Sequence, residues 1–258
     1  MPGAGGAPGI DPLAVLRADP AETAIFTDFD GTLSEIVADP AAARPVDGAL
    51  AVLAGLAERY AVVGVISGRP LDFLAAHLPD SLHLAGLYGI ETSHRGRRVE
   101  HESVGAWREA VADIITSAEV RRPAGARVED KGLSVTLHYR GRPDLAAAVR
   151  SWAEGLAARS GLQVREARQS FELHPPVDVD KGTVVERLAS DLSAACFFGD
   201  DAGDLGAFDA LDRLASRGVA TVRVAVRSAE APDELLQRAD VIVDGPEAAV
   251  ELLGSLIV

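Results

Sequence analysis

The chain has 258 residues, of which 48% are hydrophobic, enough for one large domain or two smaller ones. Its formal net charge of −14 argues against nucleic acid and anionic membrane as the main partners. An anionic substrate would therefore need local positive charge, most simply a divalent cation. The single cysteine, Cys196, rules out an intrachain disulfide, and its apolar neighbours predict a small buried side chain.

Residues 1–12 are rich in Gly, Pro and Ala and are predicted to form a disordered tail. This segment lacks the basic region and apolar run of a secretory signal. No apolar stretch reaches the length of a membrane span. We therefore expect a cytoplasmic monomer that contacts no membrane.

The first predicted strand, residues 23–27, is followed directly by Asp28 and Asp30. Residues two apart on a strand point to the same side. Two carboxylates at the end of a buried strand are costly unless a metal ion or a reaction uses them. The alternative is a simple turn in which Asp30-Gly31 ends the strand, because so short a motif also arises by chance.

A second strand, residues 61–66, follows a helix predicted at 46–58 and precedes the motif Ser67-Gly68-Arg69. A hydroxyl and backbone N–H groups between a strand and a helix, here predicted to end near residue 77, suit a phosphate group. We expect Ser67 to bind the phosphoryl group and Arg69 to contact the substrate, although the motif alone also fits an ordinary helix cap. A third strand is predicted at 82–87.

The middle of the chain, residues 105–176, has a different pattern. Helices are predicted at 104–119 and 143–159, and short strands at 126–129, 133–139, 162–166 and 170–174. This composition predicts an α+β insert with an antiparallel sheet. The insert divides a second domain into residues 13–104 and 177–258.

After the insert, Lys181 begins a predicted helix. A cation at a helix N-terminus opposes the macrodipole, which suggests another task, such as holding a phosphoryl oxygen and the charge of Asp28. An exposed first-turn lysine is the alternative. The chain has 25 lysines and arginines, and only two of them are lysines, Lys131 and Lys181. A lysine in so arginine-rich a chain suggests that its position needs a compact charge.

Three aspartates, Asp200, Asp201 and Asp204, follow a strongly apolar strand predicted at 194–198. Carboxylates on a loop above a buried strand favour a hard-cation site, although an acidic turn would explain one or two of them. Further strands are predicted at 219–226 and 241–243. Apolar strands alternating with helices predict an α/β fold with a parallel sheet covered on both faces.

The order of these motifs resembles that of the haloacid dehalogenase-like (HAD) phosphohydrolases. The resemblance implies a Rossmann-like HAD core with an inserted cap of the C2 type. It implies that Asp28 attacks phosphorus and that Asp30 is the general acid/base. It further implies Mg²⁺, held by the Asp28 carboxylate, by Asp200 and by the backbone carbonyl of Asp30. Asp204 and Asp201 would act through water or through the residues that hold the metal.

Residues 22–257 also resemble the trehalose-6-phosphate phosphatases. The segments that carry this resemblance are FTDFDGTLSEIVADP, VISGRPLDFL, GLYGIE, VEDKGLSVTLHYR, FELHPPVDVDKGTVVERL and FFGDDAGDLGAF. The fourth is the most specific, because it lies in the insert. The resemblance implies that the insert closes over the sugar and that Glu129, Lys131 and Glu172 bind the disaccharide. Charged groups on strand tips can hydrogen-bond its hydroxyls, but Glu129 and Lys131 also fit a surface ion pair.

The sequence departs from the family pattern GDDxTDE at Gly203 and Leu205. Because the three aspartates are kept, we expect the metal site to be retained. The departure therefore affects the assignment of the substrate more than that of the reaction. We expect a Mg²⁺-dependent trehalose-6-phosphate phosphatase of trehalose biosynthesis that forms an aspartyl-phosphate intermediate. The alternatives are a phosphatase for sucrose phosphate or a glycosyl-glycerate phosphate, and a non-catalytic sugar-phosphate-binding module, against which the intact Asp28 and Asp30 argue.

Overall fold

The helices and strands belong to two separate β-sheets and the helices packed on them. The computed structural model describes residues 11–37, 39–167, 169–228 and 231–257. Residues 1–10, most of the predicted tail, lie outside them. The strands are β1 Thr23–Thr27, β2 Val62–Ile66, β3 His83–Gly86, β4 Glu91–His94, β5 Arg97–Glu100, β6 Arg127–Asp130, β7 Val135–His138, β8 Gln163–Ala167, β9 Ser170–His174, β10 Ala194–Gly199, β11 Ala220–Arg227 and β12 Val241–Asp244. The α-helices are α1 Ala14–Ala18, α2 Ala49–Arg59, α3 Leu71–His77, α4 Arg108–Arg121, α5 Ala146–Ser160, α6 Lys181–Ala189, α7 Leu205–Ser216, α8 Asp233–Arg238 and α9 Gly245–Gly254.

The larger sheet has eight strands in the order β12-β11-β10-β1-β2-β3-β4-β5. From β12 to β3 all neighbours are parallel, as predicted. The antiparallel hairpin β4–β5 extends this sheet and was not predicted. Neither of its strands contains an apolar run, and its turn is Arg95-Gly96, both with positive φ, as in a tight type I′ hairpin.

Two apolar layers cover the larger sheet, because successive strand residues point to opposite faces. On β1, Ile25 packs into the layer that includes α2, α3 and α9, and Phe26 packs into the layer that includes α6, α7 and α8. Cys196 on β10 is buried in the first layer, which confirms the prediction of a small buried side chain. The central strands therefore have no exposed face, and polar side chains emerge only at their ends.

The smaller sheet is antiparallel, in the order β6-β7-β9-β8. One face packs on α4 and α5 through residues such as Leu137 and Phe171. The register pairs Glu129 with Thr136, Thr136 with Glu172, and Glu172 with Arg165. This row of polar residues crosses all four strands on the face opposite the helices, because it alternates with the apolar residues.

Several element boundaries differ from those predicted. The helix predicted at 46–58 begins at Ala49, because Gly48 has a φ of +82°, which lies outside helical backbone. The two helices of the insert each begin with a 3-10 segment, Glu102–Trp107 and Pro143–Leu145. The division of the chain at 104/105 and 176/177 stays a prediction. None of the helices in the described residues has the length and apolar character needed to cross a membrane.

Candidate active site between the two sheets

The predicted catalytic residues lie at the carboxyl ends of three adjacent strands. Asp28 follows β1, Ser67 follows β2 and Asp200 follows β10. Parallel neighbours end at the same edge, where ligands bind in open α/β sheets. The structure brings every predicted site residue to this region. All except Asp200 and Asp204 line one cavity of about 160 Å³ between the sheets, and those two lie buried beneath Asp28.

Lys181, the first residue of α6, lies within the carboxylate cluster. Its Nζ is 2.6 Å from Asp204 Oδ1 and 3.0 Å from Asp28 Oδ1. Burial lowers the pKa of Lys181, but the charges of Asp204 and Asp28 outweigh it and raise the pKa well above its usual value. The side chain is therefore a fixed ammonium and not the exposed lysine of the alternative interpretation.

Asp28, Asp200 and Asp204 place carboxylate oxygens within 4.8 Å of one another, and all three are buried. Burial raises the pKa of Asp28 well above its usual value, and the neighbouring carboxylates raise it further against the opposing effect of Lys181. Three buried carboxylates beside one ammonium leave excess negative charge, which is costly in a protein interior. A divalent cation would stabilise this arrangement.

The donor set suits a hard cation with oxygen ligands. Asp28 Oδ1 has an ion-pair contact with Lys181 but no hydrogen bond within the described residues, so it is available as a ligand. Asp204 is more constrained: Oδ1 accepts from Lys181 Nζ, and Oδ2 accepts from the backbone N–H groups of Asp200 (2.9 Å) and Asp201 (3.1 Å). Asp204 therefore orients the loop and the ammonium.

Gly31 allows Asp200 to approach the loop after β1. Gly31 has a φ of +81°, and a Cβ there would lie 2.1 Å from Asp200 Oδ2. Any larger residue would displace this carboxylate and would also be strained in left-handed backbone. The close approach of Asp200 thus requires glycine at this position. A simple turn after the strand would not place a carboxylate against it.

Arg69 forms a two-pronged ion pair with Asp30. Its Nε donates to Asp30 Oδ2 at 2.7 Å and its Nη2 to Oδ1 at 2.6 Å, while Nη1 donates to the Pro40 carbonyl. Such bidentate pairs are strong and directional. Arg69 lines the cavity as predicted, but its fork is occupied by Asp30, which the sequence pattern did not indicate.

Ser67 is buried beside Asp28, and its Oγ accepts a hydrogen bond from the N–H of Arg69 at 3.2 Å. Its own N–H donates to the Ala85 carbonyl, which fixes the turn after β2. Ser67 lines the cavity, so its hydroxyl can donate to an acceptor there. The role of Ser67 in phosphate binding stays a prediction.

The insert contributes charged residues to the opposite wall. Lys131 Nζ donates to the Gly68 carbonyl at 3.0 Å and lies 3.5 Å from Glu172 Oε2. Glu172 Oε1 accepts from Ser134 Oγ at 2.6 Å, and its Oε2 is buried without a hydrogen bond in the described residues. Lys131 therefore joins the insert to the loop after β2 and does not form a surface ion pair with Glu129.

Glu129 is hydrogen-bonded to His138, with Oε2 and Nε2 2.6 Å apart. Burial raises the pKa of Glu129, but the hydrogen bond from His138 and the charge of Lys131 outweigh it and hold the pKa below its usual value. Glu129 is thus a fixed carboxylate on the cavity wall. His138 was missed by the sequence analysis, although strand alternation from Thr136 places it on the same face.

Tyr88 was also missed. It lies in the turn after β3, within the segment GLYGIE, and lines the cavity. Burial raises the pKa of Tyr88, reinforced by the charge of Glu172, so the phenol stays protonated. No periodic signal marks a turn residue of this kind, because its side-chain direction is set by unusual backbone and not by strand alternation.

Residues 26–240 match the family model described as trehalose-phosphatase. The chain belongs to the trehalose-phosphatase family. It is 38% identical over 204 residues to a trehalose-phosphate phosphatase of Mycobacterium avium, covering 73% of this chain and 51% of that protein. It is 39% identical over 208 residues to a protein of Mycobacterium tuberculosis named as an uncharacterized glycosyl hydrolase, covering 73% of this chain and 15% of that protein.

Solved structures of this family share the fold. The C-terminal domain of C. albicans trehalose-6-phosphate phosphatase superposes with a TM-score of 0.77 at 25% identity, covering 97% of both chains. A trehalose-6-phosphate phosphatase related protein also gives a TM-score of 0.77, at 24% identity, covering 91% of this chain and 96% of the other. The chain thus spans about half of one of the curated relatives named above, 15% of the other, and nearly all of these two structures. The HAD phosphatase fold of the family suggests a divalent metal, and the acidic triad is consistent with one.

Proposed function

We propose that the chain is a Mg²⁺-dependent phosphatase that hydrolyses trehalose 6-phosphate to trehalose and phosphate. The observation that carries the proposal is a single cavity with two different walls. One wall has Asp28, Ser67 and Lys181, which suit a phosphoryl group. The other has Glu129, Lys131 and Glu172, which suit sugar hydroxyls. Membership of the trehalose-phosphatase family supports the choice of sugar.

In this proposal Asp28 attacks phosphorus and forms an aspartyl phosphate. The ammonium of Lys181, only 3.0 Å from Asp28 Oδ1, favours the ionised carboxylate against the effect of burial and then stabilises charge on the phosphoryl oxygens. The Ser67 hydroxyl donates to one of those oxygens. Asp204 holds Lys181 in place by accepting its hydrogen bond at 2.6 Å.

Asp30 protonates the leaving sugar oxygen and later takes a proton from the attacking water. Both its oxygens are bonded to Arg69. This two-pronged pair suits the ionised carboxylate, so Arg69 should release at least one oxygen when Asp30 carries a proton. We infer that Arg69 turns toward the substrate at that stage, which reconciles its pair with Asp30 and its predicted role in substrate binding.

Mg²⁺ would be held by the carboxylates of Asp28 and Asp200 and by the backbone carbonyl of Asp30, with Asp204 and Asp201 acting indirectly. When bound, it would neutralise charge on the phosphoryl oxygens and orient them. A small number of protein carboxylates suits Mg²⁺, which keeps several waters. The carbonyl contribution of Asp30 stays a prediction.

The insert serves as a cap in this proposal. Lys131 donates a hydrogen bond to the Gly68 carbonyl on the loop after β2. This bond can form only when the insert lies close to the larger sheet. A cavity of about 160 Å³ is small beside ordinary ligand sites of roughly 300–1,000 Å³. We infer that the cap moves away to admit the substrate and that its return excludes bulk water.

The alternative sugar phosphates, sucrose phosphate and glycosyl-glycerate phosphate, would use the same catalytic wall. The non-catalytic binding module is disfavoured because the buried Asp28–Lys181 pair has no evident purpose in simple binding. A cytoplasmic location and a monomeric state stay predictions.

The test is phosphate release from about ten sugar phosphates, including trehalose 6-phosphate and sucrose phosphate, with kcat/KM measured for each. We expect the highest value for trehalose 6-phosphate. EDTA should eliminate release, Mg²⁺ should restore it, and Ca²⁺ should restore it poorly because its bonds are longer and its ligands more numerous. Full activity after exhaustive chelation would remove the metal from the proposal, and a higher kcat/KM for another sugar phosphate would replace the substrate.

A further inference from the structure

Tyr88 has unusual backbone at the edge of the cavity. Both Leu87 and Tyr88 have positive φ, at 47° and 61°. Non-glycine residues seldom adopt such backbone, and where they do the surrounding structure holds them there, often at functional sites. Here the Tyr88 N–H donates to the Ser67 carbonyl and the Leu87 N–H donates to the Arg69 carbonyl. The turn is thus tied to the phosphate-binding motif.

The Tyr88 hydroxyl lies directly over Gly68. A Cβ on Gly68 would be 2.7 Å from the hydroxyl oxygen, so only glycine leaves room for it. The Gly68 carbonyl in turn accepts a hydrogen bond from Lys131 of the insert. The hydroxyl therefore lies where the loop after β2 meets the sugar-facing wall. Among the described residues it has no hydrogen-bond partner, although it borders the cavity.

Arg165 of the insert covers the face of the Tyr88 ring. Its guanidinium carbon lies 4.2 Å from the ring centroid, within the range of a cation–π contact. Arg165 is the register partner of Glu172 on the adjacent strand. The same row that carries the predicted sugar-binding Glu172 thus also carries the residue that holds the ring.

The Tyr88 ring separates two cavities. It lines the reaction cavity and a second cavity of about 670 Å³, whose other wall includes Asp180, Gly203 and Gly206. Of these two cavities, Arg165 lines the second and not the first. Tyr88, Ala167 and Asp201 line both cavities, and the Tyr88 hydroxyl is the polar group of this boundary that lies at Gly68.

We propose that Tyr88 is a specificity-determining residue whose hydroxyl hydrogen-bonds a hydroxyl group of the sugar, and that Arg165 is the positioning residue that fixes its ring. This inference rests on the proposed function, because it assumes a sugar phosphate in the cavity. The phosphoryl group belongs beside Asp28 and Lys181. The Tyr88 hydroxyl, next to the Lys131–Gly68 contact, belongs to the sugar side.

Tyr88→Phe tests the proposal, because it removes only the hydroxyl and keeps the ring under Arg165. We expect kcat/KM for trehalose 6-phosphate to fall by about three- to tenfold more than kcat/KM for p-nitrophenyl phosphate, as for the loss of one neutral hydrogen bond. The loss should appear mainly in KM, since a sugar contact acts in the ground state and the transition state alike. Tyr139→Phe, which removes a hydroxyl from the insert outside the cavity, is the matched control and should change neither value.

Arg165→Met tests the positioning role. The ring then keeps its hydroxyl but loses the guanidinium above it. We expect KM for the sugar phosphate to rise, with kcat for p-nitrophenyl phosphate changed far less. Equal losses on both substrates would mean that Arg165 only supports the fold.

Binding of trehalose 6-phosphate to an inactive Asp28→Asn protein, measured by calorimetry with and without Tyr88→Phe, separates the two proposals. A three- to tenfold weaker Kd upon Tyr88→Phe supports the role of Tyr88, even if the wild-type protein releases no phosphate and the proposed function fails. Normal phosphate release with an unchanged Kd and an unchanged substrate ratio overturns the role of Tyr88 alone. Absence of any binding overturns both.

Discussion

The two walls of the cavity differ in how their charges are held. On the core side, Asp28, Lys181 and Asp204 are almost fully buried, with side-chain exposures of 6%, 3% and 0%. On the insert side, Glu129 and Lys131 are partly exposed, at 27% and 10%, whereas Glu172 is buried, at 2%. Buried charges interact strongly and are costly to leave unpaired, whereas partly solvated ones are weaker and adjustable. The core wall is thus suited to one fixed reaction, and the insert wall to selecting the substrate.

A substitution in the core wall should therefore affect every substrate. Asp28→Asn should abolish phosphate release from sugar phosphates and from p-nitrophenyl phosphate alike, by about a thousandfold or more, because it removes the proposed nucleophile. Since burial raises the pKa of Asp28, its ionised form opposes folding at neutral pH, and Tm should be unchanged or higher. Phosphate release and thermal denaturation measure the two effects.

Asp72→Asn is the matched control, because this exposed carboxylate contacts only Arg98 among the described residues. It should leave both activity and Tm near the wild-type values. Near-normal activity of Asp28→Asn, or a large drop in its Tm, would contradict the assignment of Asp28 as a nucleophile in a strained acidic cluster.

A substitution in the insert wall should discriminate between substrates. Lys131→Ala should lower kcat/KM for trehalose 6-phosphate about tenfold to a hundredfold more than for p-nitrophenyl phosphate, on the order of 1.5–3 kcal/mol for one charge-assisted hydrogen bond. The smaller ester has no sugar for the insert to hold. Kinetics on the two substrates give the ratio directly.

Lys131→Arg sharpens the same comparison. The ammonium fits between the Gly68 carbonyl and Glu172, and a wider planar fork should not fit there. We expect a loss close to that of Lys131→Ala. Arg142→Ala, which removes an exposed cation of the insert paired with Asp144, should have no such effect. Equal losses of kcat/KM on both substrates would show that the insert wall does not select the substrate.

A third region, the edge of the large sheet, should affect stability and not catalysis. His83 on β3 stacks on His94 of β4 with ring centroids 3.7 Å apart. Burial, helped by the positive charges of His94, Arg187 and Arg95, lowers the pKa of His83 to about 4, from an unfolded value of about 6.5. Between these values the unfolded chain binds the extra proton, so stability falls as pH decreases from about 6.5 to 4.

His83→Gln should flatten this part of the stability curve. The group is half-buried, so we expect a difference of only about 1 kcal/mol after solvent screening. The measurement is the free energy of unfolding in urea at pH 4.5, 5.5 and 7 for both proteins. Parallel curves over this range would show that His83 does not carry the pH dependence.

The sequence analysis was most successful where elements are long or strongly apolar. The parallel strands from β12 to β3 and the antiparallel insert were all predicted, because central strands buried on both faces have continuous apolar runs. The β4–β5 hairpin was not, because its pairing depends on the Arg95-Gly96 turn and on an open edge beside β3. Periodicity carries no information about such an edge.

For the site, the sequence by itself determined the chemical groups. Asp28, Asp30, Ser67 and the acidic loop are recognisable because polar residues directly follow apolar strands, and parallel strands end at one edge. Lys181 is recognisable as a cation at the start of a helix. Strand alternation also places His138 on the same face as Thr136, although the sequence analysis did not use it. These are properties of local periodicity, which the chain carries without reference to distant residues.

Only the tertiary structure decided how these groups pair. Arg69 bonds Asp30, Asp204 holds Lys181, Lys131 reaches Gly68 across the cavity, and Tyr88 projects over Gly68 from strained backbone. Each contact joins segments that are far apart in the chain or depends on a turn whose side-chain direction has no periodic signal. Such pairings follow from how the two sheets pack together, because distance between side chains is a property of the packed fold and not of residue order.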